Sequence, residues 1–273
     1  MIRIPRIGST AVFLAAWLMP WRPAFKTRVA GSRLKFFVHY RDLTGRHIAK
    51  YGAYEPTPTR WLDNYLAGRP LGIFIDVGAN LGWHTVHAAL HPSVKTVVAF
   101  EPDPFNAWLL DRNLTENGVE NVVVSNAAVG AQSGSIRLHR YKSSNYGRHS
   151  LLVDYGYGSR MVPIVDLDNA LHQLGLADQP VNVLKIDVEG YEPAVIAGAT
   201  KTLERTAAVI LEYSPDLSKA GGLSAQDMVD QLLSAGFDSF GLDNEGRAVP
   251  ISAGKLRAFG GQMDLVMIKR AAS

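Results

Sequence analysis

Ile73 to Gly82, read as IFIDVGANLG, is an apolar β-branched run that ends in Asp76 and then breaks at Gly78. From Trp83 to Leu90 the pattern turns helical. A strand, a glycine-rich turn and a helix start in this order form the unit that binds nucleotides at the carboxyl end of a parallel strand. Glycine lets the backbone approach a ligand closely and take dihedral angles that a β-carbon disfavours. The helix start then offers N–H groups that have no partner within the helix.

The same alternation runs through most of the 273 residues. Strands are predicted at Gly72–Asp76, Thr96–Glu101, Val122–Asn126, Val181–Asp187 and Ala207–Tyr213. Helices are predicted from Gly82 to Leu90, from Pro104 to near Asn117, from Leu167 to Leu174, from Pro193 onward, and from Ser224 to Ala235. Strands separated by helices imply an α/β fold with a parallel sheet covered on both faces. Phe237–Leu242 and Leu265–Lys269 are expected to close the sheet as an antiparallel edge. One departure stands out: Ile136–Arg140 and Met161–Val165 alternate in polarity as strands do, around a Gly/Ser/Tyr-rich loop, Lys142–Ser159. A loop of that length is more often functional than a mere connection.

Charge divides the chain. Residues 1–50 carry ten Lys and Arg against the single acid Asp42, while the remainder has more acids than bases. Thr10–Trp21 is apolar, follows Arg3 and Arg6, and is too short to span a bilayer. A helix packed on the domain, a helix in a membrane interface and a signal-like hydrophobic region all stay open for it. The expected organisation is a basic, apolar extension over residues 1–50, with a strand or hairpin near Leu34–His39, and one domain over 51–273. The chain has no cysteine, which excludes disulfides, thiolate metal sites and a cysteine nucleophile.

Which nucleotide the turn takes depends on its acids. Glu101 ends the second strand, where an acid can bridge ribose hydroxyls. Asp76 stands directly before the turn, where it would repel a pyrophosphate and suit the ammonium and sulfonium groups of S-adenosylmethionine. The glycine spacing fails the dinucleotide fingerprint, and no Gly-Lys-Ser/Thr follows to make a P-loop.

Four ordered blocks then carry a resemblance. Asp76-Val77-Gly78-Ala79-Asn80-Leu81-Gly82, Phe100-Glu101-Pro102, Asn126-Ala127-Ala128-Val129-Gly130 and Ile186-Asp187-Val188-Glu189-Gly190-Tyr191-Glu192 resemble the FkbM-type methyltransferases, with Gly52-x-Tyr54-Glu55 upstream. The resemblance implies a Rossmann-like, seven-stranded, mostly parallel sheet of the class I methyltransferase kind, and S-adenosylmethionine-dependent O-methyl transfer. It implies Asp76, Gly78, Ala79, Asn80 and Gly82 around the methionine part of the cofactor, Glu101 and Pro102 at the ribose, and Ser125, Asn126 and Ala127 beside the adenine.

A hydroxyl acceptor must lose a proton as it attacks, so a base is needed near the sulfonium. Lys185, Asp187 and Glu189 on the fourth strand and Glu212 on the fifth are the candidates. They are read either as a direct base or as a holder for a divalent cation such as magnesium. Lys185 and Asp187 share a face and suit an ion pair. His84, next to the glycine turn, His149, in the long loop, His87 and His139 are further catalytic candidates, and Tyr146, Tyr155 and Tyr157 are placed to line a sugar. The acceptor is expected to be a small molecule, glycan or glycolipid, with no nucleic-acid partner. The expected location is cytoplasmic, peripheral to the inner face of the membrane through the amino terminus. A nicotinamide-dependent oxidoreductase and a non-catalytic binding module stay open as rivals.

Overall fold

The computed structural model describes residues 24–142 and 145–271. The apolar stretch Thr10–Trp21 therefore lies outside the described residues. In chain order, β1 (Phe25–Arg28) and β2 (Lys35–Val38) form a hairpin, and α1 (Leu43–Tyr51) and α2 (Pro56–Leu66) follow. Next come β3 (Gly72–Val77), α3 (Trp83–Ala89), β4 (Val94–Phe100), α4 (Pro104–Glu116) and β5 (Val122–Ser125). After them are β6 (Ala128–Val129), β7 (Gly134–His139), β8 (Ser159–Val165), α5 (Leu167–Gln173) and β9 (Val181–Ile186). Then α6 (Glu192–Ala197), α7 (Thr200–Glu204), β10 (Ala208–Tyr213), α8 (Pro215–Ala220) and α9 (Ala225–Ser234) lead to the carboxyl-terminal part. That part contains β11 (Phe237–Leu242), β12 (Ala248–Pro250), α10 (Ala253–Arg257) and β13 (Met263–Lys269).

The main sheet has the order β12-β11-β13-β10-β9-β3-β4-β5. The pairs from β10 to β5 are parallel, whereas β13 pairs antiparallel with both β10 and β11. Seven of these strands match the expected Rossmann-like sheet. The eighth, β12, occupies the edge expected for the last pair, because β13 inserts between β10 and β11. Every residue of β3 and β9 is buried, as a strand sandwiched between two helical layers requires. Burying one such side chain completely, Phe74 for example, contributes about 1.5–3 kcal/mol.

Strand order reverses between β3 and β9: the chain proceeds from β3 to β4 and β5 on one side, and from β9 to β10 on the other. In open α/β sheets the crevice at the carboxyl ends of such a pair is where ligands bind. Local caps hold the helices that border it. Asp103 accepts from the N–H groups of Phe105 and Asn106 at the start of α4, with Pro104 in the first turn.

The amino-terminal part corrects an expectation. Residues 24–50 are no separate extension, because Phe36, Val38 and Ile48 share a core with Leu81, Trp83, Leu109 and Leu110. Two asparagines of α4 serve β2 as a substitute neighbouring strand. Asn113 Oδ1 accepts from Phe37 N at 2.6 Å, and Asn117 takes both the N–H and the carbonyl of Lys35. This pairing closes an edge that would otherwise be open. Strands β6, β8 and β7 form a separate three-stranded sheet, whose β7–β8 connection contains a 3₁₀ turn at Tyr146–Arg148. No helix among the described residues is long and apolar enough to cross a membrane.

Candidate active site

The glycine turn after β3 lies against the loop after β9. Asp187 N–H donates to Val77 O at 3.0 Å, and a β-carbon on Gly78 (φ +80°) would run into the Asp187 carbonyl. Gly82 caps α3 at φ +87°, where a β-carbon would strike Leu110. Both glycines are therefore demanded by backbone geometry and close approach.

Asp76 does not face a ligand as the sequence suggested. It is completely buried, accepts from Thr85 Oγ1 at 2.6 Å, and lies 3.1 Å from Lys185 Nζ. Lys185 also donates to the Gly78 carbonyl at 3.1 Å and lies 3.7 Å from Asp187 Oδ2. Burial works against the ammonium charge, but Asp76 and then Asp187 outweigh it and hold Lys185 above its usual range. Lys185 is thus a tie between the two loops rather than a base. The repulsion of a pyrophosphate by Asp76 also loses force, since a cation neutralises that carboxylate.

Two hollows flank this tie, and Asp187 lines both. The first is walled by Gly78, Asn80, Glu101, Pro102, Asn106 and Glu189, with Gly147 and His149 reaching in from the β7–β8 connection. Glu101 accepts from Asn80 N and Asp103 N, each at 2.8 Å, one through each oxygen. Burial pushes its carboxyl up to about 7, against those N–H donors. Ser125 and Ala127 stay out of this wall: Ser125 meets Glu101 through its backbone carbonyl, and Ala127 is buried in the core. Asn126 is exposed, and Ala79 is buried beneath the turn.

The second hollow is acidic. Glu55, His84, Lys185, Asp187, Glu212 and Asp264 meet there over Phe74, Ile210 and Leu211. Burial first, then the charges of Asp187 and Glu189, push Glu212 up to about 10. Asp264 is raised to about 6 by burial and by Glu55 and Asp187, and Asp187 itself is raised by burial. Glu189 is raised to about 8 by burial and Asp187, although Arg148 lies 3.8 Å away. Crowded carboxyls of this kind disfavour simultaneous ionisation.

Three non-glycine residues among those described have a positive φ: Glu55 at 38°, Asn80 at 52° and Glu189 at 52°. All three line these hollows. Strain of this kind costs about 1–3 kcal/mol per residue and persists only where the surroundings enforce it.

Sequence reasoning missed Asp264, Asn106 and the site role of Glu55. The start of α6 has no side-chain cap; Glu192, its first residue, instead accepts from Val188 N and Gly190 N and so holds the loop after β9. Of the histidines, His84 enters the acidic hollow and His149 the other. His87 is bonded to Trp83 O at 2.7 Å, and His139 pairs with Asp154 at 3.5 Å, so neither reaches the site. Tyr155 and Tyr157 pack around Tyr141 rather than on either hollow's wall, and the Tyr146 side chain lies outside the described residues. Among the described residues no three Asp, Glu or His side chains are arranged to hold a metal ion, so the magnesium reading has no donor set behind it.

Comparison with known proteins adds the family. The Methyltransferase FkbM domain matches residues 76–239. Hexuronic acid methyltransferase AglP of Haloferax volcanii is 33% identical over 137 residues, 50% of this chain and 54% of the relative. Methyltransferase 1 of Beauveria bassiana is 27% identical over 141 residues, 45% of this chain and 57% of the relative. The chain thus spans about half the length of the curated relatives it matches. Among solved structures, cofactor-bound Rv0187 from MTB covers 98% of this chain and 92% of its own, at 14% identity and a TM-score of 0.47. TYW2 of M. jannaschii in complex with AdoMet covers 90% and 84%, at 12% identity and a TM-score of 0.42. The fold assignment rests on the strand order itself.

Proposed function

This chain belongs to the FkbM methyltransferase family, and on that premise we propose that it moves a methyl group from S-adenosylmethionine to a hydroxyl of a sugar, glycolipid or secondary metabolite. The observation that carries the reading is the position of Asp187 on the wall of both hollows. A donor beside the glycine turn and an acceptor in the acidic hollow then meet across one carboxylate.

The residues fit the cofactor. Glu189 Oε2 is buried without a hydrogen-bond partner beside the glycine-turn hollow, and a cationic donor would satisfy it. Glu101 takes one backbone N–H on each oxygen and a side-chain hydrogen bond from Asn106, which leaves acceptor capacity for a ribose hydroxyl. When bound, S-adenosylmethionine supplies a methyl carbon made electrophilic by its sulfonium. The protein's part is to align acceptor oxygen and methyl carbon and to take the acceptor's proton.

The acidic hollow favours a neutral hydroxyl over a carboxylate as the reacting group, since a second anion among Glu55, Asp187, Glu212 and Asp264 would be repelled. The name of the H. volcanii relative makes uronic-acid sugars a natural first panel, with a hydroxyl as the methylated atom.

Calorimetry with S-adenosylmethionine and with NAD, followed by transfer of labelled methyl to neutral and uronic-acid glycosides, tests the reading. Binding of S-adenosylmethionine and alkali-stable ether label are expected. Binding of NAD alone would overturn the methyltransferase reading. Alkali-labile ester label would move the acceptor from hydroxyl to carboxylate.

A further inference from the structure

We infer that Glu55 takes the proton from the acceptor hydroxyl, with His84 as the positioning residue behind it; the inference rests on the methyl-transfer reading above. Glu55 lies upstream of the segment that matches the family, and its carboxylate reaches the acidic hollow from the start of α2. Glu55 Oε2 is 2.8 Å from His84 Nε2. The Glu55 side chain is 32% exposed and that of His84 only 7%, so the carboxylate is the member of the pair that an acceptor can touch.

The backbone argues for the same role. Glu55 precedes the first turn of α2 in a left-handed conformation, and its side chain makes no capping hydrogen bond. A residue placed for helix stability would take an extended conformation and cap the free N–H groups. Here the strained conformation turns the carboxylate toward His84 instead. It is enforced from outside: Trp83 Nε1 donates to Thr59 Oγ1 at 3.0 Å, and Thr59 Oγ1 donates to the Glu55 carbonyl at 2.8 Å. Trp83 and His84, adjacent on α3, thus fix both ends of Glu55.

Charge separates Glu55 from its neighbours. The groups around it are Tyr54 on the preceding residue, His84 on α3, Lys185 and Asp187 at the end of β9, Glu189 in the loop that follows, Glu212 on β10 and Asp264 on β13. Burial pushes the Glu55 carboxyl up, but the hydrogen bond and charge of His84, the charge of Lys185 and a hydrogen bond from Tyr54 outweigh it. The carboxyl is held below its ordinary value, while Asp187, Glu212 and Asp264 are all raised. When environments push neighbouring carboxyls apart in this way, the ionised one is the base. As the acceptor oxygen bonds the methyl carbon, its O–H proton passes to Glu55, and the electron pair of the breaking C–S bond stays on sulfur.

Glu55→Gln, Glu55→Asp and His84→Gln test this on the full chain, with labelled S-adenosylmethionine and the glycoside panel. Glu55→Gln is expected to keep S-adenosylmethionine affinity within threefold, and to lower kcat at least a hundredfold; Glu55→Asp should recover part of it. His84→Gln keeps an N–H donor but removes the charge, so the acid limb of the pH–rate profile should move to higher pH. Carboxyl ¹³C resonances, assigned by difference with Glu55→Gln, should show Glu55 ionised at pH 6. Undiminished kcat in Glu55→Gln, an unmoved acid limb in His84→Gln, or a protonated Glu55 at pH 6 would overturn the assignment. Binding of NAD without S-adenosylmethionine by the wild-type chain would overturn the methyl-transfer reading itself, and the base assignment with it.

Discussion

Gly78 and Asp187 touch backbone to backbone: there is no room for a β-carbon on Gly78 next to the Asp187 carbonyl. The contact joins the loop after β3 to the loop after β9, and therefore joins the two hollows that share Asp187.

Gly78→Ala should be costly for two reasons, the positive φ of 80° and the clash with a backbone atom that cannot swing away. Gly118 has a similar φ of 63° with nothing within 4 Å of its would-be β-carbon. Gly118→Ala is expected to cost about 1 kcal/mol, and Gly78→Ala at least about 3 kcal/mol together with weaker cofactor binding. Urea unfolding of the two variants, side by side, measures the difference. Equal losses would show that the loops give way at this point.

The Asp76–Lys185 pair is a buried tie, so removing one partner is worse than removing both. Lys185→Met should destabilise by about 3–5 kcal/mol, because it strands the Asp76 carboxylate. Adding Asp76→Asn should restore part of that loss. Chemical denaturation of both variants decides it; a double variant less stable than Lys185→Met would argue against the pairing.

Glu101→Gln sets an NH₂ group against a backbone N–H, since both Glu101 oxygens accept from backbone donors. Leaving a buried donor unpaired costs about 1–3 kcal/mol of folding stability with or without cofactor, whereas exchanging one ribose acceptor oxygen for an NH₂ group removes about 1.5 kcal/mol of binding, so S-adenosylmethionine affinity should fall roughly tenfold. Calorimetric titration reads this directly, and unchanged affinity would remove Glu101 from the cofactor site.

Raised carboxyls give stability a definite pH slope. A carboxyl raised on folding favours the folded state below its unfolded pKa, and that contribution is lost as pH rises through its folded value. Asp264 at about 6, with Glu101 and Glu192 at about 7, places the loss between about pH 4 and 7; Glu189 at about 8 and Glu212 at about 10 extend it upward. The cofactor-free protein should therefore melt at lower temperature at pH 8 than at pH 5.5. Glu212→Gln should flatten that slope. A melting temperature that rises over the same interval would contradict the burial of these groups.

The basic, apolar amino-terminal part, residues 1–50, carries the expectation of contact with an anionic membrane surface. Flotation with anionic vesicles should recover the full chain and leave behind a chain lacking residues 1–23. Equal recovery of the two would end the idea.

Local sequence determined the alternation of strands and helices, the turn from Asp76 to Gly82, and the placing of Glu101 and Asp187 at strand ends. Those features follow from side-chain periodicity and backbone freedom within a few residues, which a sequence displays directly. Tertiary structure decided what each acid faces. Asp76 looked like a ligand group because it precedes the turn, yet Lys185, over a hundred residues later, folds against it and buries it. Glu55 precedes the first strand of the β–α alternation and Asp264 follows its last helix, and they reach the site because α2 packs beside α3 and β13 inserts next to β10. No local pattern encodes that convergence. It comes from the order in which strands join the sheet, and that order also sets which carboxyls crowd together and which one keeps its charge.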